Sequence, residues 1–323
     1  SRPFHREADG LVPAEGAAFV VLKRLADARR DGDTIHGVVR GVGLSNDGRG
    51  KGLLAPSEEG QERAIRAAYA MAGFGPERVS LVEAHATGTP VGDAAEIRST
   101  GAVFAGLDGV PLGSLKSNLG HLITVAGVAG LLKVLGAMKA GLRPPTLHAE
   151  EPTGALAGSP FRLVERLEPW PTEGPRVAAV SAFGFGGNNA HLVVSEDAPD
   201  LDEAVASRAP SRALAIVGLG GAVAGAPNRT RFADALFSGE SLLDEKGEGR
   251  LAPVELDLEG LRFPPKDLAQ TLPQQLALLR AASEATAGGS ILPRERTGVF
   301  VGMEPDPEVA RWGTRWGLAA AAR

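Results

Sequence analysis

Two apolar segments of strand length in this chain run directly into glycine- and hydroxyl-rich turns, and each turn carries a histidine. Residues 79–82 lead into Val82-Glu83-Ala84-His85-Ala86-Thr87-Gly88-Thr89-Pro90, and residues 111–115 lead into Ser114-Leu115-Lys116-Ser117-Asn118-Leu119-Gly120-His121. A helical segment follows each turn, over 93–104 and 122–138. Repeated strand–turn–helix units of this kind give a layered α/β domain, and turns at the carboxyl ends of strands in open α/β sheets are where ligands gather. Only six histidines occur in 323 residues, and there is no cysteine. The pattern points to a two-histidine active site without a thiol nucleophile of its own.

The flanking sequence extends the same architecture. Strands are expected over 15–23, 35–44, 176–182 and 190–195, with a short charged helix over 25–30. A longer helix runs from Ser57 to Met71: Ser57 can cap it, and Glu58 and Glu59 sit at its positive end. Gly73 to Pro76 stops that helix; Gly141 and the Pro144-Pro145 pair stop the Ala/Gly-rich helix that begins near Leu122. Glycine is in excess, 43 residues where about 7% is usual. The glycines cluster in turns, Phe183-Gly184-Phe185-Gly186-Gly187 above all, so tight backbone geometry accounts for them better than linker sequence does. Residues 196–212 are polar, proline-bearing and aperiodic, as expected of a linker. A second unit then opens with a strand over 213–217 and continues with helices over 230–238 and 273–286 and a strand over 297–302.

Composition removes several classes of function. A net charge of −5 disfavours a nucleic-acid or anionic-membrane surface. The absence of cysteine rules out disulfides and thiolate metal sites within the chain. The most apolar segment, 125–140, is broken by Gly127, Gly130, Lys133, Gly136 and Lys139, and no signal sequence opens the chain. A cytoplasmic setting is expected, with no metal.

In the two turns the threonine hydroxyls of Thr87 and Thr89 can hydrogen-bond a polar substrate arm. Lys116, five residues before His121, would lower the pKa of a nearby histidine and keep it a neutral N–H donor. Two such donors aimed at one oxygen would stabilise an enolate or oxyanion. His5, His36, His148 and His191 are read as structural.

His85-Ala-Thr-Gly-Thr89, Lys116-Ser-Asn-Leu-Gly-His121 and Ser181-Ala-Phe-Gly-Phe-Gly-Gly-Asn-Asn-Ala-His191 resemble, in order and spacing, the three C-terminal signatures of the β-ketoacyl synthases. Arg2-Pro3-Phe4, Asp9-Gly10 and Glu15-Gly16-Ala17 look like the segment that precedes them in that family. His5 departs from a commoner aspartate and Asn188 from a commoner threonine. Gly130 stands where stand-alone bacterial elongation synthases carry glutamate, which favours the multidomain branch. The resemblance covers about residues 1–196 and implies the C-terminal half of a thiolase-like αβαβα layered fold.

It also implies a chemistry: decarboxylative Claisen condensation of malonyl on acyl carrier protein with an acyl thioester held on a cysteine. His85 and His121 would polarise the malonyl thioester carbonyl, and Lys116 would hold their environment. Thr87 and Thr89 would bind the phosphopantetheine arm presented by the carrier protein, no cofactor being bound directly. The backbone N–H of Phe185 would form half of an oxyanion hole and its ring would gate the pocket, while Gly184, Gly186 and Gly187 let the backbone approach the substrate. The family's nucleophilic cysteine lies upstream of Ser1, so the chain is expected to be a piece of a longer protein and inactive alone.

Ala215-Ile-Val-Gly-Leu-Gly-Gly221 superficially suggests a dinucleotide loop, but the acidic residue that fingerprint requires is missing. Residues 213–323 resemble instead the start of a second ketosynthase-type domain, the chain length factor of polyunsaturated fatty acid synthases. That resemblance implies a ketosynthase-type dimer or an intramolecular ketosynthase–chain-length-factor pair. The domain organisation expected is thus 1–195, a 196–212 linker, and 213–323. A ketosynthase of a modular polyketide synthase and a non-catalytic chain-length or assembly module are the alternatives.

Overall fold

A computed structural model describes residues 1–48, 55–171, 173–184, 186–199, 201, 214–253, 255–256, 271–287 and 301. Its centre is an eight-stranded mixed sheet. In chain order the strands are β1 (Gly16–Arg24), β2 (Gly37–Asn46), β3 (Leu81–Glu83), β4 (Val110–Gly113), β5 (Leu142–Arg143), β6 (Phe161–Leu163), β7 (Glu168–Pro169), β8 (Val177–Gly184), β9 (Asn188–Ser195) and β10 (Leu214–Val223). The helices are α1 (Leu25–Asp31), α2 (Glu58–Ala72), α3 (Pro90–Val103), the single turn α4 (Lys116–Leu119), α5 (Ala126–Ala140), α6 (Arg229–Ser238) and α7 (Pro273–Thr286). The large sheet runs β1-β10-β2-β9-β8-β3-β4-β6, with β5 and β7 paired separately.

The parallel strands β8, β3, β4 and β6 lie together at one end, and all the other neighbours are antiparallel. Alternation along the strands divides the core. Leu81, Ala178, Val180 and Val194 pack with α5 and α6 on one face. Val82, Val177, Ala179 and Val193 pack with α2 and α3 on the other. Period-two side chains buried on both faces explain the continuous apolar runs of these strands. Ser57 caps α2 as expected, its hydroxyl accepting from Gly60 N–H at 3.2 Å. The helix predicted from Leu122 begins instead with a 3₁₀ turn, Ile123–Val125, before α5.

The α/β class and the layering hold: the described residues build helices on both sides of one large sheet. The second large sheet that a full αβαβα stack requires is not among them. Residues 214–223 fall inside this same sheet. The strand expected to open a separate unit lies between β1 and β2, paired with β1 along its whole length. It is longer than the sequence suggested, and its glycines serve packing. A Cβ on Gly218 would sit 2.0 Å from Ala285 O, and one on Gly220 2.0 Å from Ala281 O, both in α7. Gly41 and Gly43 of β2 meet Ala68 O and Ala64 O of α2 in the same way, at 2.0 and 1.8 Å. Both pairs are strand glycines two apart under helix alanines four apart. The Gly218-Leu219-Gly220 stretch is therefore a buried strand under a helix and not a phosphate-binding loop. The strand expected over 297–302 and most of the 196–212 linker lie outside the described residues.

Candidate active site

The three motifs converge at the carboxyl ends of the adjacent strands β3, β4 and β8. His85 follows β3 by two residues, the Lys116–His121 turn follows β4, and the glycine turn follows β8. The imidazoles of His85 and His121 meet edge to face, with centroids 5.2 Å apart. Phe183 lies 6.1 Å from His85. Proximity alone explains why two distant sequence motifs form one site.

Both histidines are held neutral. Burial pushes the His85 pKa well below its ordinary value, with smaller contributions from Lys116 and His121. Burial and then Lys116 lower His121 to about 4. Lys116 lowers both, in the direction expected from the sequence, but contributes less than desolvation. The tautomer of His121 is fixed as well. Its Nδ1 accepts the Ile123 N–H at 2.8 Å, so the proton of the neutral ring is on Nε2. Ile123 makes that bond from a left-handed backbone conformation, φ 51°, which is costly for a β-branched residue. His85 Nδ1 is buried without a hydrogen-bond partner.

The loop around His85 is held by carboxylates from α3. Glu96 accepts the His85 and Ala86 N–H groups, each at 2.7 Å. Asp93 accepts from Gly88 at 3.1 Å and from Phe4 at 2.8 Å. Burial pushes both acids up, Glu96 to about 7. Thr87 and Thr89 face one another, Oγ1 to Oγ1 at 3.1 Å, and both are partly exposed. A Cβ on Gly92 would lie 2.5 Å from Thr89 Oγ1, so that glycine makes room for the pair.

The second loop is held mostly by main chain and hydroxyls. His121 N–H donates to Val12 O at 2.6 Å, and Ala14 N–H donates to His121 O at 2.9 Å. Ser114 donates to Ala86 O at 3.1 Å and so ties this loop to the other. Ser117 donates to Ser114 O and accepts from Leu147 N–H. Gly120 turns the chain at φ 80°. Lys116 is buried, which lowers its pKa; Glu83, Glu96 and Asp93 oppose that shift.

Phe185 lies outside the described residues. Gly186 and Gly187 follow at φ 78° and 74°, a conformation that favours glycine. The space a Gly187 side chain would need is occupied by Asp47, 2.6 Å away, and Asp47 N–H donates to Gly187 O. Its lack of a side chain thus makes room for the 45–48 loop. Asn189 Nδ2 donates to Asp47 Oδ1 at 2.6 Å and Asn46 Nδ2 to Asn188 Oδ1 at 2.9 Å, so these asparagines fasten the turn to the end of β2. His191 is fully buried beside Ser181 and Tyr69, away from the pair, in keeping with a structural role. Glu83, Asp93 and Glu96 were missed by sequence reasoning; acids inside otherwise buried elements were the available signal. No cluster of metal-ligating side chains occurs among the described residues.

Two buried, neutral imidazoles thus meet at the ends of adjacent parallel strands, an arrangement able to place two N–H donors on one oxygen. Residues 36–150 match the family model "Beta-ketoacyl synthase, C-terminal domain". A phenolphthiocerol/phthiocerol polyketide synthase of Mycobacterium tuberculosis is 45% identical over 204 residues, covering 60% of this chain and 11% of that protein. A polyunsaturated fatty acid synthase of Thraustochytrium sp. is 42% identical over 212 residues, covering 62% of this chain and 8% of that one. The solved PfaC keto synthase–chain length factor superposes with a TM-score of 0.54 at 39% identity, over 61% of this chain and 21% of that structure. Over residues 36–150 the chain is thus similar to the C-terminal domain of β-ketoacyl synthases. It spans about a tenth of the length of the curated relatives it matches.

Proposed function

We propose that this chain is the β-ketoacyl synthase segment of a multidomain polyunsaturated fatty acid or polyketide synthase, acting in decarboxylative Claisen condensation. The observation that carries the reading is the edge-to-face pair of neutral histidines with the His121 proton on Nε2. A malonyl thioester that loses carbon dioxide leaves its electron pair on the α-carbon, delocalised onto the thioester oxygen. Two N–H donors on that oxygen stabilise the enolate, whereas imidazolium or the other tautomer would disturb the match. The enolate carbon then attacks an acyl thioester; the new carbon–carbon bond forms as the cysteine thiolate leaves. This chain has no cysteine, so the thiol comes from outside it, and the chain alone is expected to be inactive.

Thr87 and Thr89 bind the phosphopantetheine arm of an acyl carrier protein, which their partial exposure permits. Phe185 gives its N–H to the oxyanion hole. The protein works in the cytoplasm, without metal, membrane or nucleic-acid partners. One helix segment, Ile123–Ala140, is long and apolar enough to cross a membrane, but half of it is buried inside the fold, as in a core helix. Residues 213–323 are read as the start of a second ketosynthase-like unit, a chain-length-factor partner, whose first strand joins the sheet of the first. The polyketide synthase match supports a second reading, a modular ketosynthase.

In the intact protein His85→Ala and His121→Ala are each expected to lower malonyl decarboxylation by about 10²-fold or more, with cysteine acylation changed only a few-fold. Radiolabelled carbon dioxide release and active-site acylation measure the two. Normal condensation in either variant overturns the reading.

A further inference from the structure

Beneath the two histidine loops lies an ion pair that the chemistry above does not use. Glu83 and Lys133 are 2% and 1% exposed, with Lys133 Nζ 2.6 Å from Glu83 Oε2. The other carboxylate oxygen, Oε1, accepts the Leu115 N–H at 2.7 Å. Space is reserved for both partners. A Cβ on Gly130 would lie 3.0 Å from Glu83 Cγ, and one on Gly113 would lie 3.1 Å from Lys133 Nζ and 2.8 Å from Thr146 Oγ1.

A buried ion pair is a poor way to gain stability, because desolvation offsets most of the attraction. Its placement is more informative. Glu83 ends β3, two residues before His85. Leu115 opens the turn that carries Lys116 and His121. Lys133 stands on α5, the helix that follows His121. One carboxylate thus joins the three elements that set the distance between the two imidazoles.

We propose that Glu83 and Lys133 are positioning residues for the two-histidine site: the pair fixes the separation of the histidine loops by holding the Leu115 N–H, without touching substrate. The proposal rests on the condensing-enzyme reading. Decarboxylation needs both donors on one oxygen and is sensitive to their spacing, since a misplacement of about 1 Å can cost about 10²-fold. Acylation of the cysteine does not use that spacing.

The test compares variants of the intact protein in both partial reactions, with melting temperature as a third measurement. Lys133→Met leaves a lone buried carboxylate; decarboxylation should fall about 10- to 100-fold, with acylation and the KM for malonyl-carrier protein within about 2-fold. Glu83→Gln/Lys133→Met is neutral and keeps an oxygen for Leu115, and it should recover to within about 5-fold of wild type. Glu83→Ala/Lys133→Met is equally neutral but lacks that oxygen, and should stay about 10-fold or more down. Equal decarboxylation in the two double variants overturns the proposal, as does a parallel loss of acylation in the alanine one. If the alanine variant does not fold, Lys133→Met against Glu83→Gln/Lys133→Met decides: recovery supports the proposal, and no recovery with normal acylation overturns it. Wild-type protein without decarboxylation, or with decarboxylation indifferent to His85→Ala, overturns the condensing reading and the proposal together. Normal histidine controls with unaffected pair variants overturn the proposal alone.

Discussion

The two histidine loops present the same chemical group within one cleft, yet they are restrained by different means. Around His85 the main-chain N–H groups end on carboxylates, Glu96 for residues 85 and 86 and Asp93 for residue 88. Around His121 they end on main-chain carbonyls and a hydroxyl, Val12 O, Lys116 O and Thr146 Oγ1, with Glu83 at the entrance. Bonds to an ionised carboxylate are about twice as strong as neutral ones, so the first loop's bonds depend on the protonation of Glu96 and Asp93, whose pKa values are both raised by burial. These acids titrate, so the loop's stiffness depends on pH. A fold can thus place two like donors side by side and brace only one of them with titrating carboxylates.

The largest break in this comparison is Glu96→Ala. It strands two buried N–H groups at about 1–3 kcal/mol each, and is expected to cost about 2–5 kcal/mol in denaturant unfolding. Amide exchange should quicken over residues 84–90 and stay near wild type over 117–121. Equal acceleration in both loops would show that they are restrained as one body.

A second break uses pH. Burial raises the folded pKa of Glu96 to about 7 from an ordinary 4.5. Its contribution is therefore fully present below 4.5 and is lost as pH rises through 7, about 3 kcal/mol over that window at 1.36 kcal/mol per unit. His121 runs the other way. Its folded pKa is lowered to about 4 from 6.5, so its contribution is present above 6.5 and is lost as pH falls through 4. His85 moves in the same direction as His121. In the wild type Glu96 offsets part of the acid loss between 6.5 and 4.5. Glu96→Gln removes the offset, and its stability deficit should widen between pH 8 and pH 5. A constant deficit across a urea series at several pH values would refute this.

The histidines, Lys116 and the strand–turn–helix frame were legible because each motif is local: an apolar strand followed by a turn whose residues allow it. The braces were not. Glu83 looks like one charged residue at the end of an apolar strand, and nothing nearby in sequence shows that Lys133, fifty residues on, neutralises it. The placement of β10 was also hidden. Leu214–Val223 reads as a buried strand in either unit, and only its pairing with both β1 and β2 shows which sheet receives it. The glycines of that strand suggested a nucleotide loop because close approach to a helix backbone and close approach to a phosphate demand the same residue. Register and close packing are tertiary facts, and short motifs do not carry them.

The smallest break concerns the seam between the loops. Ser114 Oγ donates to Ala86 O, while Glu96 accepts from Ala86 N–H, so one peptide residue is held from both sides. Ser114→Ala alone should cost about 1–2 kcal/mol, the usual range for a buried carbonyl left without its donor. Ser117→Ala removes bonds to Ser114 O and Leu147 N–H, neither of which involves the first loop, and should cost a similar amount. The two serines differ in coupling. Residues that share a partner show interaction energies of about 0.5 kcal/mol or more, and independent ones add within about 0.3–0.5 kcal/mol. A double-mutant cycle of Ser114→Ala with Glu96→Gln should therefore be non-additive, because freeing Ala86 on one side lessens what the other side can hold. The matching cycle with Ser117→Ala should be additive. If both cycles add, the loops are independent despite their contact, and the spacing of the histidines is set by Glu83 and Lys133 without help from Ser114.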